Sequence, residues 1–153
     1  MEFEDDAFVL AARSHGDTGA VVDLLTAQHG RRMTYVPGGA SRKMKPHLQP
    51  GSRVRMAWRA RDDSQLGSAR LEPSGDDVSQ LFDSAVALAG LSAAAAVVQG
   101  ALPEREAEPG VFAAMEALML ALTDDAVWPP VFIRFELGLL GSLGFGLDLE
   151  SCA

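Results

Sequence analysis

Seven basic side chains and no acidic one lie between residues 42 and 61, an imbalance with clear chemical meaning. They are Arg42, Lys43, Lys45, Arg53, Arg55, Arg59 and Arg61. Guanidinium and ammonium groups at this density are typical of surfaces that bind phosphate groups. This part of the chain is therefore a candidate for binding nucleic acid.

In the segment 53–61, apolar residues alternate with arginines, which predicts a strand with one solvated face. The apolar face would carry Val54, Met56, Trp58 and Ala60, and the other face Arg53, Arg55, Arg59 and Arg61. Residues two apart on a strand lie roughly 6.6 Å apart, comparable to the phosphate spacing of an extended single strand. Arginines on a solvated face also serve solubility or protect a sheet edge, and for one strand alone this simpler interpretation is favoured.

Further cations before this strand favour a binding surface. Arg31 and Arg32 follow the turn at Gly30, and three more cations, Arg42, Lys43 and Lys45, share one loop. If roughly five to eight phosphates were neutralised, binding would be largely independent of base sequence and would weaken steeply with salt.

Two aromatic residues in this half could stack on bases. Tyr35 has no assigned role in a core, so base stacking and packing are equally open for it. Trp58 shares a face with Val54 and Met56 and is expected to fill the interior instead.

The sequence lacks the arrangements that catalysis or metal binding requires, so we expect no enzyme activity, no catalytic residue, no metal and no cofactor. His15, His29 and His47 are not at metal-ligand spacing and are interpreted as turn residues or phosphate donors. The acidic pairs 62–63, 76–77 and 124–125 lie at the ends of predicted elements, where helix capping and solvation account for them. Cys152 is the single cysteine and has no partner for a disulfide.

Charge is divided unequally along the chain. Residues 1–71 contain 11 basic and 8 acidic side chains, whereas residues 72–153 contain 2 and 13, within a total of −8. The acidic start of the chain is unlike a secretory signal, and the uncharged stretch after Asp83 is too rich in alanine to span a bilayer. We expect a cytoplasmic protein whose two halves differ electrostatically.

The first half has the pattern of five short strands separated by turn residues. Phe8, Leu10 and Ala12 are expected on one face of the first strand, and the others are predicted at 20–27, 32–36, 53–61 and 67–72. No helix is long enough to connect parallel strands. The expected fold is α+β: a five-stranded antiparallel OB-fold barrel at 1–75, followed by a small all-α domain at 76–153.

After Gly75 the apolar period changes from 2 to 3.6, which predicts three helices. Asp77 and Gln80 resemble a capping box for the first, which would run to Gly100 with Val78, Leu81, Phe82, Ala85, Val86 and Ala89 inward. The second would begin at Pro109 and bury Val111, Phe112, Met115, Leu118, Met119 and Leu122. The third would begin at Pro129 and carry Phe132, Phe135, Leu139 and Leu143.

Arg134 is a lone cation among apolar residues of the third predicted helix. It could receive the carboxylate of a bound peptide, but pairing with Glu136 or another acid of the bundle is the simpler interpretation.

Several segments together resemble the RecO family. They are HGDTGAVVDLLT at 15–26, GR at 30–31, GGASRK at 38–43, LQPGSRV at 48–54, RFELGLLGSLGFGLDL at 134–149, and Cys152. No single string is diagnostic, but their order and spacing agree with the family over nearly the whole chain.

The resemblance implies an N-terminal OB-fold, a helical domain and a DNA repair and recombination mediator. Such a protein binds single- and double-stranded DNA, promotes strand annealing, and helps load RecA together with RecR and the single-stranded-DNA-binding protein. By position, Arg31 and the 38–45 loop would contact DNA, and Arg134 with Phe135 would receive the acidic, apolar tail of the single-stranded-DNA-binding protein. Family members continue past the position of Cys152, some with cysteines that complete a zinc site, which implies that this chain is truncated at its C-terminus.

Two alternatives remain open at this point. An OB-fold protein of RNA metabolism would prefer RNA in a competition assay. A protein-interaction adaptor would use its basic strand only as a solvated face, and reversing the charges of Arg42, Lys43 and Lys45 would leave its partner bound.

Overall fold

A computed structural model of the chain describes residues 1–75, 78–148 and 150. All strands precede all long helices, which confirms the α+β class. The strands are β1 (Glu2–His15), β2 (Gly19–Thr26), β3 (Arg31–Val36), β4 (Arg53–Arg59) and β5 (Ser68–Pro73). The helices are α1 (Ala85–Ala101), α2 (Pro109–Ala121) and α3 (Trp128–Ser142), with short 3-10 turns at Lys45–Leu48 and Val78–Leu81.

The five strands close into a barrel in the order β1-β2-β3-β5-β4, which confirms the predicted OB-type barrel. The expectation that every pair is antiparallel is wrong for β3 and β5, which run parallel and meet at Tyr35 and Ser68. The cause is geometric. Strand direction cannot alternate all the way around a ring with an odd number of strands, so one neighbouring pair must be parallel.

Strand β1 pairs along different parts of its length with two neighbours. Residues 7–15 pair with β2, and residues 2–8 pair with β4. A bulge between Val9 and Ala11 inserts Leu10 without a partner. Ala12 then lies opposite Val22, a residue of the barrel interior, so the prediction that it shares a face with Phe8 and Leu10 is wrong.

The barrel interior follows the predicted period of two. In β4, Val54, Met56 and Trp58 are buried, whereas Arg55 and Arg59 are exposed. All eight residues of β2 are buried, because one face lines the barrel and the other is covered by the helices.

The helices pack on the outside of β1 and β2 rather than forming a separate bundle. Phe8, Leu10 and Leu25 belong to the same apolar cluster as the buried residues of α1, α2 and α3. The rings of Phe8 and Phe112 have centroids 5.1 Å apart. The outer face of the barrel is therefore part of the helical core.

The first helix begins later than predicted. Asp77, the expected cap, lies outside the described residues, and Ser84 caps the helix by accepting a hydrogen bond from the Ala87 N–H at 3.1 Å. The 3-10 turn before it shifts the helical phase. Of the six residues expected inward, Val78 and Leu81 are buried, but Phe82, Ala85, Val86 and Ala89 are exposed.

The other two helices agree with the sequence. In α2, Val111, Phe112, Met115 and Leu118 are buried, and Leu122 directly after it is buried as well. In α3, Phe135 and Leu139 are buried, while Phe132 and Leu143 are partly buried against the same core. No helix within the described ranges is long and apolar enough to cross a bilayer.

The connector from α1 to α2 lies against the start of β3. The Arg105 N–H donates to the Arg31 carbonyl at 2.9 Å, and Glu104 forms a parallel bridge with Arg31. Gly30 has a φ of +74°, and a Cβ atom there would lie 2.2 Å from the Glu106 carbonyl oxygen. Only glycine permits this approach, which fixes the connector on the barrel.

Candidate nucleic-acid interface

The loop between β3 and β4 is ordered by its own backbone and by the neighbouring hairpin. The Lys45 N–H donates to the Ser41 carbonyl at 3.0 Å, and the Ala40 N–H donates to the Thr18 carbonyl at 3.0 Å. Leu48 ends the 3-10 turn inside the barrel and is 5% exposed. The loop is therefore held in place rather than free to fold back on the sheet.

This loop presents the three cations that the sequence singled out. Arg42, Lys43 and Lys45 are all exposed. Among the residues that the structure describes, no carboxylate oxygen lies within 4.0 Å of their nitrogens. Their charges are available for a ligand with phosphate groups.

The β1–β2 hairpin brings further groups to the same end of the barrel. Tyr35 packs on Gly19, where a Cβ atom would lie 2.3 Å from its ring. The His15 ring meets the Tyr35 ring edge-on at 6.0 Å, and Arg13 is exposed nearby on the same hairpin. Sequence reasoning missed Arg13, because only the register of β1 against β2 places it there.

We call this surface the cationic end of the barrel. It consists of Arg13, His15, Tyr35, Arg42, Lys43 and Lys45. Arg59 adjoins it, because Tyr35 is opposite Ser68 on β5 and Ser68 is opposite Arg59 on β4. Two strand spacings, roughly 10 Å, separate the backbones of Tyr35 and Arg59.

The arginine row of β4 is not the continuous cationic track that the sequence indicates. The N-terminal half of β1 places an acidic row, Glu2, Glu4 and Asp6, opposite Arg59, Ala57 and Arg55. Arg55 lies 3.4 Å from Glu4 and from Asp6, and these hydrogen bonds raise the pKa of its guanidinium above the ordinary value.

At the other end of that row, Arg53 is paired with Glu116 of α2 and lies 3.9 Å from Asp6. Arg59 and Arg61 are exposed, and neither has a carboxylate within 4.0 Å in the described part of the chain. Two of the four arginines in this row are therefore neutralised by carboxylates, which the sequence of β4 alone could not show.

Arg31 and Arg32 are held by the protein itself. Arg31 donates to Asp23 at 2.9 Å and to the Leu102 carbonyl at 3.0 Å, which joins β3, β2 and the end of α1. Arg32 is 4% exposed, and its guanidinium is paired with Asp63, a partly exposed residue between β4 and β5. The structure therefore does not favour either residue as a DNA contact.

The other aromatic candidate, Trp58, lies in the interior of the barrel. Trp58 is 2% exposed, which confirms its expected place in the core. The Arg32 guanidinium carbon lies 5.0 Å from the ring centroids of both Phe3 and Trp58. Phe3 also stacks on His29 at 3.7 Å, so this histidine is packed rather than presented to a ligand.

On α3, the two residues of the predicted peptide site are placed differently. Arg134 is exposed, and no carboxylate of the described residues, Glu136 included, lies within 4.0 Å of it. Phe135 is 2% exposed and belongs to the helical core. Only Arg134 presents its side chain outward.

The acidic pairs that the structure describes serve local structure. Asp62 accepts hydrogen bonds from the Ser64 hydroxyl and N–H, which lower its pKa. Asp63 pairs with Arg32, and Asp124 accepts from the Ala126 N–H at 2.9 Å before α3. Within the described residues, no group of three or more His, Cys, Asp or Glu side chains could hold a metal ion, and Cys152 lies outside them.

Family models and curated relatives match nearly the whole chain. The family model "Recombination protein O N terminal" matches residues 1–72, and "Recombination protein O C terminal" matches residues 83–153. The DNA repair protein RecO of Phenylobacterium zucineum (strain HLK1) is 65% identical over all 153 residues, which cover 63% of that relative. Those of Caulobacter vibrioides (strain NA1000 / CB15N) and Methylobacterium nodulans (strain LMG 21967 / CNCM I-2342 / ORS 2060) are 60% and 49% identical over the whole chain, covering 63% and 62% of their lengths. The chain thus spans less than two thirds of these relatives, and it belongs to the RecO family of recombination and DNA repair proteins.

Proposed function

We propose that this protein binds single- and double-stranded DNA, without base specificity, at the cationic end of the barrel. One observation carries the proposal: Arg42, Lys43 and Lys45 project from a single ordered loop, and within the described residues no carboxylate neutralises them. The net charge of −8 does not oppose this, because most acidic residues lie in the second half of the chain.

The chemistry of this surface supports binding to the backbone of DNA. Lysine and arginine contacts to phosphates release counterions and contribute affinity that is independent of base sequence. Tyr35 adds an aromatic ring beside these cations, and stacking on it is tolerant of base identity. Arg59 and Arg61 extend the surface along the end of β4.

We further propose that the protein acts as a recombination mediator without chemistry of its own. In this role it promotes strand annealing and RecA loading with RecR and the single-stranded-DNA-binding protein, in the cytoplasm and at the nucleoid. Membership of the RecO family supports this role, and so do its relatives, which are named DNA repair proteins. We propose that residues 1–75 provide the DNA-binding domain and residues 76–153 the helical one.

The exposed guanidinium of Arg134 supports a site for the acidic, apolar tail of the single-stranded-DNA-binding protein. It lies beside Ile133, which is 57% exposed, so a carboxylate and an apolar side chain of the tail would both find partners on α3. Phe135 would contribute from the core, by holding this face of the helix in position.

The test is fluorescence anisotropy with single-stranded DNA over a salt series. The slope of log affinity against log salt is negative, and Lys43→Glu should make it shallower by about one. The triple reversal of Arg42, Lys43 and Lys45 should make it shallower still. Arg134→Glu is the matched control, because it makes the same charge change at an exposed cation of α3 that has no carboxylate partner among the described residues and lies outside the cationic end. An unchanged slope in the triple variant would contradict the proposal. Stronger competition by RNA than by unlabelled DNA would show that RNA is the preferred ligand.

A further inference from the structure

The barrel closes between β3 and β5 through a short contact. Strands β3 and β5 are joined at one residue pair, Tyr35 and Ser68, whereas β4 pairs with β5 along six. Beyond Ser68, the side of β5 that faces away from β4 has no paired strand in the described part of the chain. Such an edge offers backbone donors and acceptors to another chain.

The hydrogen-bonding phase shows which residues offer these groups. The Ser74 N–H donates to the Arg53 carbonyl at 3.0 Å, so in this antiparallel ladder Arg70 and Glu72 also direct their backbone groups to β4. Leu71, between them, directs its N–H and C=O away. Among the described residues, no backbone hydrogen bond joins Leu71 to the β3–β4 loop opposite.

A cavity of about 1000 Å³ lies along this edge. Its larger apolar lining residues include Phe3, Val36, Met44, Trp58 and Leu71. The β3–β4 loop forms one side, and β1, β4 and β5 form the other. The cavity thus combines an unpaired strand edge with apolar contacts for alternate side chains of an added strand.

Charges around the cavity discriminate between possible occupants. Three cations, Lys43, Arg59 and Arg70, and three acids, Glu2, Glu4 and Glu72, line it in equal number. Three carboxylates disfavour a continuous phosphate backbone. Arg70 is paired with Glu72, but Lys43 and Arg59 have no carboxylate within 4.0 Å in the described ranges.

We propose that the β5 edge and this cavity form a docking site for an extended protein segment. The segment pairs with Leu71 as an added strand, directs apolar side chains into the cavity, and places a carboxylate beside Lys43 or Arg59. This site is distinct in chemistry from the proposed DNA surface, but it shares Lys43 and Arg59 with it. A bound segment and DNA would therefore compete at those two residues.

The test uses NMR spectra of the full isotope-labelled chain and a synthetic peptide of alternating valine and threonine that ends in two aspartates. The Leu71 amide resonance should shift on addition of the peptide, and its exchange with solvent should slow. A copy of the peptide methylated on alternate backbone nitrogens should not bind, because it cannot complete the ladder. Arg59→Glu should weaken binding of the unmodified peptide, whereas Arg61→Glu, an equal charge change just outside the cavity lining, should not.

Single-stranded DNA is the second titrant. If the docking proposal is correct, DNA leaves the exchange of the Leu71 amide unchanged, whether or not it shifts resonances of the β3–β4 loop. Equal binding of the methylated and unmodified peptides would overturn the proposal. So would an absence of any shift at Leu71 with the peptide, or protection of Leu71 by DNA alone. None of these outcomes depends on whether the cationic end binds DNA.

Discussion

Arg31 and Arg55 both pair with carboxylates, but they differ in how much water surrounds the pair. Asp23, the partner of Arg31, is 6% exposed and also accepts from Gln99 at 3.0 Å. The Arg55 side chain is 49% exposed, and its partners Glu4 and Asp6 are open to solvent. Only the first pair leaves a buried charge behind when the arginine is removed.

We therefore expect Arg31→Ala to lower the free energy of unfolding by about 3 kcal/mol, because Asp23 stays buried without its cation. Arg55→Ala should leave stability close to that of the parent chain, since an exposed pair contributes little. Urea unfolding followed by circular dichroism measures both. Equal losses in the two variants would contradict the assignment of Arg31 as a link between barrel and helices.

Tyr35 provides a test of base stacking at the cationic end. Tyr35→Ala should weaken binding to single-stranded DNA by about 1–3 kcal/mol, the usual contribution of one stacked base. Tyr35→Phe is the control, because it keeps the ring and its packing on Gly19. Anisotropy at fixed salt compares the three proteins. If Tyr35→Phe lost as much affinity as Tyr35→Ala, the hydroxyl rather than the ring would carry the contact.

At the scale of residues, the sequence indicated that the loop cations would be exposed, because a turn-rich segment with no acid has few ways to neutralise them, and their role as DNA contacts stays a prediction. It could not separate Arg31 from Arg42. The partner of Arg31 lies on the neighbouring strand, and the pairing of Asp23 with Arg31 depends on strand register and on the position of α1.

Among the elements, β4 shows why a pattern within one strand is incomplete. Its period of two predicted both faces correctly. The charge of its outer face, however, is set jointly with β1, whose acidic residues lie opposite in the ladder. That pairing brings together the first and the fourth strand, and no local pattern reveals it.

Helix α1 illustrates a different difficulty. Apolar residues continue at helical spacing from Val78, but the chain turns as a 3-10 segment and restarts at Ser84. The buried residues of α1 form a single stripe, but alanine occupies the exposed face as well as the buried one, so this stripe is weakly defined in the sequence. The end of the helix and the two later helices carry clearer boundaries, including Pro103 and Pro109.

The cap at Ser84 can be tested directly. Ser84→Ala should lower the free energy of unfolding by about 1 kcal/mol, the usual effect of losing an N-cap side chain. Ser92→Ala, at an exposed position inside the same helix, should be neutral or slightly stabilising because alanine has the higher helix propensity. Thermal unfolding compares the two. A larger loss for Asp77→Ala than for Ser84→Ala would show that the helix begins earlier.

The whole molecule depends on a core that crosses the proposed division between domains. Phe8, Leu10 and Leu25 are on the barrel, yet they are buried by the helices. The change in period and charge near residue 75 predicted two regions, but it could not show that they share apolar surface. The charges are separated while the core is continuous.

Consequently, residues 1–75 expressed alone should be poorly soluble, because the surface of Phe8, Leu10 and Leu25 would be exposed to water. A version with Phe8→Thr and Leu25→Thr should recover a monodisperse barrel, since threonine keeps strand propensity and removes the apolar patch. Size-exclusion chromatography and circular dichroism measure this. A soluble, folded parent fragment would instead show that the barrel is independent of the helices.

The double pairing of β1 has a consequence for the order of events during synthesis. Its C-terminal half meets β2 across a tight turn, and such hairpins form within microseconds. Its N-terminal half has to wait for β4, because Glu2 is paired with Arg59. In a nascent chain leaving the ribosome, the acidic segment 2–6 therefore has no strand partner until Arg59 has emerged. Closure of the barrel is the slow, non-local step of folding.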